Sequence, residues 1–185
     1  MKVLGISGSL RRDSHNTKLL RAAAALLPPG AELELWEGLK AVPPYDADDD
    51  ASAPRPEALR SLGRAIAAAD VVLFSTPEYN HSIPGQLKNA LDWLSRPLAT
   101  SPLRGKPVAV VGASTGLFGA VWAQAELRKV LGAIGARVID RELPVGLAED
   151  AFTEAGRLAD QDLELVLADL LAELLGEVTP AAVPA

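Results

Sequence analysis

The sequence contains no cysteine, and its only two histidines are His15 and His81. This scarcity excludes disulfide scaffolds, thiol nucleophiles, iron–sulfur clusters and Cys/His zinc centres. Any redox chemistry therefore has to come from an organic cofactor. Aromatic residues are scarce too, at 4% of a chain that is 49% hydrophobic, so the core is built from Ala, Leu and Val. No stretch approaches the roughly 18 consecutive apolar residues of a membrane span. The N-terminus enters an apolar, strand-like run at once, with no signal-peptide pattern. The expected compartment is the cytoplasm. Charge is mildly acidic, with 18 basic residues against 24 acidic ones and a formal net charge of −6. That balance argues against non-specific nucleic-acid binding.

What is present is a length of 185 residues, enough for one domain with a sizeable core. Apolar runs at 2–7, 31–37, 71–76, 107–112 and 137–140 read as strands. Between and after them, helical spacing predicts helices over 16–27, 57–69, 86–96, 120–134 and 158–174. The last carries a stripe of Leu163, Val166, Leu167, Leu170 and Leu174. Residues 38–56 hold Pro43-Pro44 and the acidic run Asp46 to Asp50, and read as a long solvated loop. Near-continuous apolar strands alternating with helices indicate a parallel sheet covered on both faces. The expectation is a single α/β domain over 1–175, followed by a flexible tail over 176–185.

Ligands of such sheets sit beyond the carboxyl ends of the strands, and the loops there carry the unusual sequences. The first runs Gly8-Ser9-Leu10-Arg11-Arg12-Asp13-Ser14-His15-Asn16-Thr17 into a helix start. Unpaired N–H groups, hydroxyls and an arginine suit an anion. Neither the Gly-Lys-Ser/Thr of a Walker loop nor G-x-G-x-x-G is present, which points to a monophosphate. The other reading is ordinary helix capping by Ser14 or Asn16. The second loop, Thr76-Pro77-Glu78-Tyr79-Asn80-His81-Ser82-Ile83-Pro84-Gly85, is stiffened by proline. Its backbone is suited to the edge of a planar ring. The third, Gly112-Ala113-Ser114-Thr115-Gly116-Leu117-Phe118-Gly119, brings backbone close to something.

The third loop also spells G-x-S-x-G, but the hydrolase order needs a histidine after the serine, and none follows His81. A receiver domain needs an aspartate where Ser75-Thr76 stand, and a low-molecular-weight tyrosine phosphatase needs a cysteine. His15 and His81 lack a third metal ligand, so each reads as a loop or solvent-facing histidine.

Taken together, Gly8-Ser9-Leu10-Arg11 with Ser14 and Asn16, then Thr76-Pro77-Glu78-Tyr79-Asn80 with Ser82, Pro84-Gly85, Leu87-Lys88-Asn89-Ala90 and Asp92-Trp93, resemble the NADPH-dependent FMN reductase family. The resemblance extends from the N-terminus to about Leu158. It implies a flavodoxin-like three-layer α/β/α sandwich with a five-stranded parallel sheet in the order 2-1-3-4-5. It also implies bound FMN, NADPH as co-substrate with NADH an alternative, and a homodimer or homotetramer whose active site lies near a subunit contact. By that resemblance Ser9, Arg11, Ser14, Asn16 and Thr17 bind the FMN phosphate. Pro77, Glu78, Tyr79 and Asn80 line the isoalloxazine, largely through backbone groups, and Ser114, Thr115 and Gly116 form the third flavin loop. The family often has a Gly-Gly pair near the next helix start, where this chain has Gly119-Ala120.

The implied activity is hydride transfer from NADPH through FMN to quinone, azo, flavin or metal-oxyanion acceptors, with no covalently catalytic side chain. The alternative is a flavodoxin-type electron carrier that does not oxidise a nicotinamide. A carrier displays a strongly acidic docking face, whereas the acids of 46–50 are confined to one loop, which favours the enzyme. For a 2′-phosphate, Arg12 and Arg96 are the candidates, with no separate basic pocket apparent.

Overall fold

The computed structural model describes residues 1–51 and 54–178. Strand β1 (Lys2–Ser7) leads to helix α1 (His15–Ala25), then β2 (Glu32–Trp36), the short helix α2 (Ala47–Ala51) and α3 (Glu57–Ala68). Next come β3 (Val71–Ser75), α4 (Gly85–Leu94), β4 (Pro107–Ala113) and α5 (Val121–Ile134). The chain then forms β5 (Arg137–Val138), β6 (Pro144–Val145) and α6 (Gln161–Gly176). All strand pairings are parallel, in the order β2-β1-β3-β4-β5, with β6 also paired to β4.

The central strands explain themselves. Every residue of β3 and β4 is buried, as a parallel sheet covered on both sides requires. Even-numbered Val72, Phe74, Val108 and Val110 pack into one apolar layer, under Leu62, Ile66, Leu91, Trp93 and Leu127 of α3, α4 and α5. Odd-numbered Val71, Leu73, Ala109 and Val111 point the other way, against Leu19 and Leu20 of α1 and Leu167, Leu170 and Leu174 of α6. Three layers result.

Two expectations are corrected here. The acidic run is not wholly irregular: Ala47–Ala51 makes one helical turn and a half, with Asp46 Oδ1 accepting the Asp48 N–H at 2.7 Å. The fifth strand expected over 137–140 is present in its expected place but shorter, Arg137–Val138. Strand β5 pairs only with Pro107 and Val108 at the start of β4, and the chain then leaves the sheet. It returns as β6 beside Gly112 and Ala113, giving six strands instead of five. Along the last helix, Val166 lies off the buried stripe and is exposed. That helix runs to Gly176, and the tail expected beyond it falls, from residue 179 onward, outside the described residues. No helix among the described residues is long and apolar enough to cross a membrane.

Candidate functional site

Strands β1, β3 and β4 end side by side, and the three unusual loops leave from those ends. The loop after β1 is tied down by its own hydroxyls. Ser7 Oγ accepts from the Ser9 N–H and Ser9 Oγ from the Arg11 N–H, both at 3.3 Å. Ser14 is the N-cap of α1, its backbone extended and its Oγ accepting the Thr17 N–H at 3.3 Å. The first helical bond runs from Lys18 N–H to Ser14 O. The amides of His15 and Asn16 lie ahead of it and have no helical acceptor, at the positive end of the helix dipole.

Asn16 does something the sequence reading did not assign. Its side chain is buried, with Nδ2 donating to Ala113 O at 2.9 Å. Its Oδ1 accepts from the Ala113 N–H at 3.0 Å and from the Ser75 hydroxyl at 2.8 Å. One amide thus ties the end of the first loop to the starts of the second and third. The side chain holds the site together, and only the Asn16 backbone N–H is left to meet an anion.

In the loop after β3, Tyr79 and Ser82 exchange both backbone hydrogen bonds around Asn80 and His81, whose φ values are 54° and 59°. Two successive left-handed residues make a type I′ turn, a conformation that Asn adopts more readily than most residues. The Glu78 carboxylate, with its side chain only 14% exposed, turns toward α5. Its Oε2 accepts from the Trp122 and Ala123 N–H groups at 3.1 and 3.2 Å, so it caps that helix. His81 and Phe118 both meet Trp122 edge-on, at ring-centroid distances of 4.8 and 5.2 Å.

The loop after β4 is clamped by residues that the sequence reading passed over. Gln124, fully buried, donates to Gly119 O and Leu143 O and accepts from the Leu143 N–H. A Cβ on Gly119, whose φ is +56°, would stand 2.3 Å from the Pro144 carbonyl carbon. Ala120 is left-handed too, at φ 62°. Glycine takes such backbone at little cost and alanine does not, so Ala120 holds this turn under strain that a second glycine would relieve. Strand β6 gives no signal because its two residues make a strand only by lying beside β4.

The loops enclose a cleft of about 290 Å³ lined by Ser9, Arg11, Ser14, His15, Asn16, Pro77, Glu78, Tyr79, Ala113, Ser114, Thr115 and Gly116. An adjoining lobe of about 260 Å³, mainly apolar, lies between Gly8, Leu10, Arg11, Tyr79, Pro84, Gly85 and Gln86. Ten of the twelve expected site residues meet at the cleft. Thr17 instead faces a neighbouring pocket on the β2 side, and Asn80 sits in the exposed hairpin turn. His15 is neither the loop nor the solvent-facing histidine expected: it opens α1, is half-buried and stacked at 6.4 Å on Phe152, and its buried Nδ1 has no partner among the described residues. Asp13, at the mouth, is held by Lys18 at 2.9 Å, and that hydrogen bond keeps its carboxyl below the usual range. Among the described residues no group of three or more His, Asp or Glu could hold a metal ion.

These features fit a flavin mononucleotide. Two free amides, the Ser9 and Ser14 hydroxyls and Arg11 surround an anion site. The one acid on the wall, Glu78, has its carboxylate turned away. An orphaned imidazole nitrogen and backbone groups of rigid loops complete the wall.

Comparison with known proteins agrees with the geometry. A model of the family described as NADPH-dependent FMN reductase matches residues 1–150. An NAD(P)H-dependent FMN reductase of Pseudomonas aeruginosa is 45% identical over 161 residues, covering 86% of this chain and 85% of the relative. A quinone reductase of Escherichia coli is 36% identical over 163 residues, covering 87% and 86%. The solved structure of FerB, a flavoenzyme NAD(P)H:(acceptor) oxidoreductase from Paracoccus denitrificans, superposes with a TM-score of 0.82 at 35% identity, covering 96% of each chain.

Proposed function

This chain belongs to the NADPH-dependent FMN reductase family, and from that premise we propose that it is an NAD(P)H-dependent FMN oxidoreductase serving small diffusible acceptors of the quinone class. The observation that carries this reading is the cleft itself. The start of α1 stands at one end, an apolar lobe beside the exposed Tyr79 stands at the other, and Arg11 lines both.

Bound there, FMN supplies two-electron chemistry, accepting hydride from NAD(P)H and returning electrons to an acceptor. The His15 and Asn16 amides, the Ser9 and Ser14 hydroxyls and the Arg11 guanidinium hold the phosphate. Pro77, Glu78, Tyr79, Ser114, Thr115 and Gly116 line the ring with backbone and apolar surface. Backbone N–H groups fixed in rigid loops stabilise negative charge on a reduced ring without reorganising. No side chain has to act as a nucleophile. An open cleft suits several oxidants, including azo, flavin and metal-oxyanion acceptors.

The rim supports a homodimer or homotetramer. Leu117, Phe118, Trp122 and Leu147 are 70%, 60%, 43% and 58% exposed around the mouth of the cleft, an apolar band that a second copy would cover. The compartment consistent with an NAD(P)H donor is the cytoplasm.

The test is a visible spectrum before and after NADPH, with FMN released on heating, followed by NADPH oxidation with menadione. A yellow protein bleached by NADPH and turning over the quinone is the expected result. Bound flavin without turnover above the free-FMN background would instead describe an electron carrier and overturn the enzyme reading.

A further inference from the structure

On the far side of the first loop from the flavin cleft lies a second pocket, of about 290 Å³, between that loop, α1 and the end of β2. Arg12, Arg21 and Lys40 line it together with Trp36. Sequence spacing hides this group, because Arg12 is in a loop, Arg21 is on a helix and Lys40 follows a strand. Only the packing of α1 beside β2 brings them together. Most arginines elsewhere on the surface are matched to acids, among them Arg60 and Arg64 to Glu57, Arg128 to Glu142, Arg141 to Glu173 and Arg157 to Glu164; Arg96 and Arg104 stand singly, not as a cluster. Among the described residues, no carboxylate lies within ion-pair distance of Arg12, Arg21 or Lys40. The pocket's one acid is Glu37, and nearby Asp13 is already held by Lys18. In a chain of net charge −6, a concave site with this excess of unmatched cations is built for an anion.

Trp36 gives the pocket a flat wall. Its Nε1 donates to Ser61 Oγ at 3.3 Å, and its six-membered ring lies so closely on Gly38 that a Cβ there would stand 2.4 Å from Cζ2. The half-buried indole is thereby held in one plane beside the cations. A phosphate monoester next to a purine ring matches this combination of charge and aromatic surface. The pocket is also within reach of the flavin site. Leu10 and Arg11 form part of its wall and part of the wall of the apolar lobe next to Tyr79. Gln86 of that lobe donates to the carbonyl of Leu39, another pocket residue. A dinucleotide with its nicotinamide in the lobe has only to cross Leu10 to arrive here.

We propose that this pocket takes the 2′-phosphoadenosine end of NADPH, with Arg12, Arg21 and Lys40 around the 2′-phosphate and Trp36 against the adenine. The assignment rests on the proposed NAD(P)H oxidation and makes it selective. Arg96, the other candidate for this role, lies apart, in a cleft between α4 and α5 with Lys88 and Asp92.

The test titrates FMN-loaded protein with adenosine 2′,5′-bisphosphate, adenosine 3′,5′-bisphosphate and AMP by calorimetry. It also compares kcat/KM for NADPH and NADH in the wild type and in an R21A/K40A double variant. The 2′,5′-bisphosphate should bind at least about tenfold more tightly than AMP, the scale of one charge-assisted phosphate contact. The double variant should lose about tenfold or more of the NADPH preference, with NADH kinetics and flavin content unchanged. Equal binding of AMP and the 2′,5′-bisphosphate, or an unchanged NADPH/NADH ratio in the variant, would overturn the assignment. Equal or tighter binding of the 3′,5′-isomer would overturn it in favour of a 3′-phosphoadenosine ligand. Absence of any nicotinamide oxidation would instead defeat the proposed function, while the nucleotide titration still decides the pocket.

Discussion

At the phosphate end of the cleft, Ser14 and Asn16 are buried and every polar atom of the Asn16 side chain bonds within the protein. At the other end, Tyr79, Phe118 and Trp122 are exposed, and the Trp122 ring meets those of Phe118 and His81. The first region is part of the sheet's own hydrogen-bonding and is built before any ligand arrives. The second is a surface awaiting partners, whether a flavin ring, an acceptor or another subunit. Substitutions should therefore cost folding free energy at one end and binding or assembly at the other.

The largest effect is expected from Asn16→Leu. It strands the Ser75 hydroxyl and both backbone groups of Ala113 in a buried place, which costs about 3–9 kcal/mol at roughly 1–3 per group. Urea unfolding with an unchanged m-value would register it. A loss under about 1 kcal/mol would mean that the phosphate end is not the rigid region described. Next is Arg11→Ala, whose side chain is exposed and lies at the junction of the two regions. It should weaken FMN by about 1.5–3 kcal/mol, the value of a charge-assisted contact, while leaving the apoprotein's melting unchanged. Fluorescence titration of FMN into apoprotein measures this, and unaltered affinity would remove Arg11 from the phosphate site.

Glu78→Gln probes the seam between the two regions. The amide keeps an acceptor for the Trp122 and Ala123 N–H groups but loses the charge facing the helix dipole, a cost of about 0.5–1 kcal/mol. Thermal melting of holo- and apoprotein should show the same small decrease. The smallest folding effect belongs to Phe118→Ser, within about 0.5 kcal/mol for an exposed position. Light scattering should nevertheless report a lower mass if the rim is the subunit contact. An unchanged mass would place that contact elsewhere.

Much of the layer architecture is readable in the chain, because burial on both faces of a parallel sheet demands uninterrupted apolar runs such as 71–75 and 107–113. The loop proposed to hold the phosphate stands out because hydroxyls, glycine and arginine are concentrated before a helix start. Asn16 misled for the same reason, since an amide beside an N-cap looks alike in sequence whether it meets a ligand or staples three loops. Residues 143–146 gave no sign at all, since neither β6 nor the Gln124 clamp exists without β4 and α5 alongside.

Local chemistry along the chain thus determined the alternation of strands and helices, the hydroxyl-rich loop before α1 and the proline-stiffened loop after β3. Each depends on residues adjacent in sequence. The tertiary structure alone decided which side chains face a ligand and which face the protein. It turned Glu78 into a helix cap and Asn16 into a staple, and it gathered Arg12, Arg21 and Lys40 around Trp36. Hydrogen bonds and charge clusters between distant segments depend on where packing sets the backbone, and no spacing along the chain encodes that.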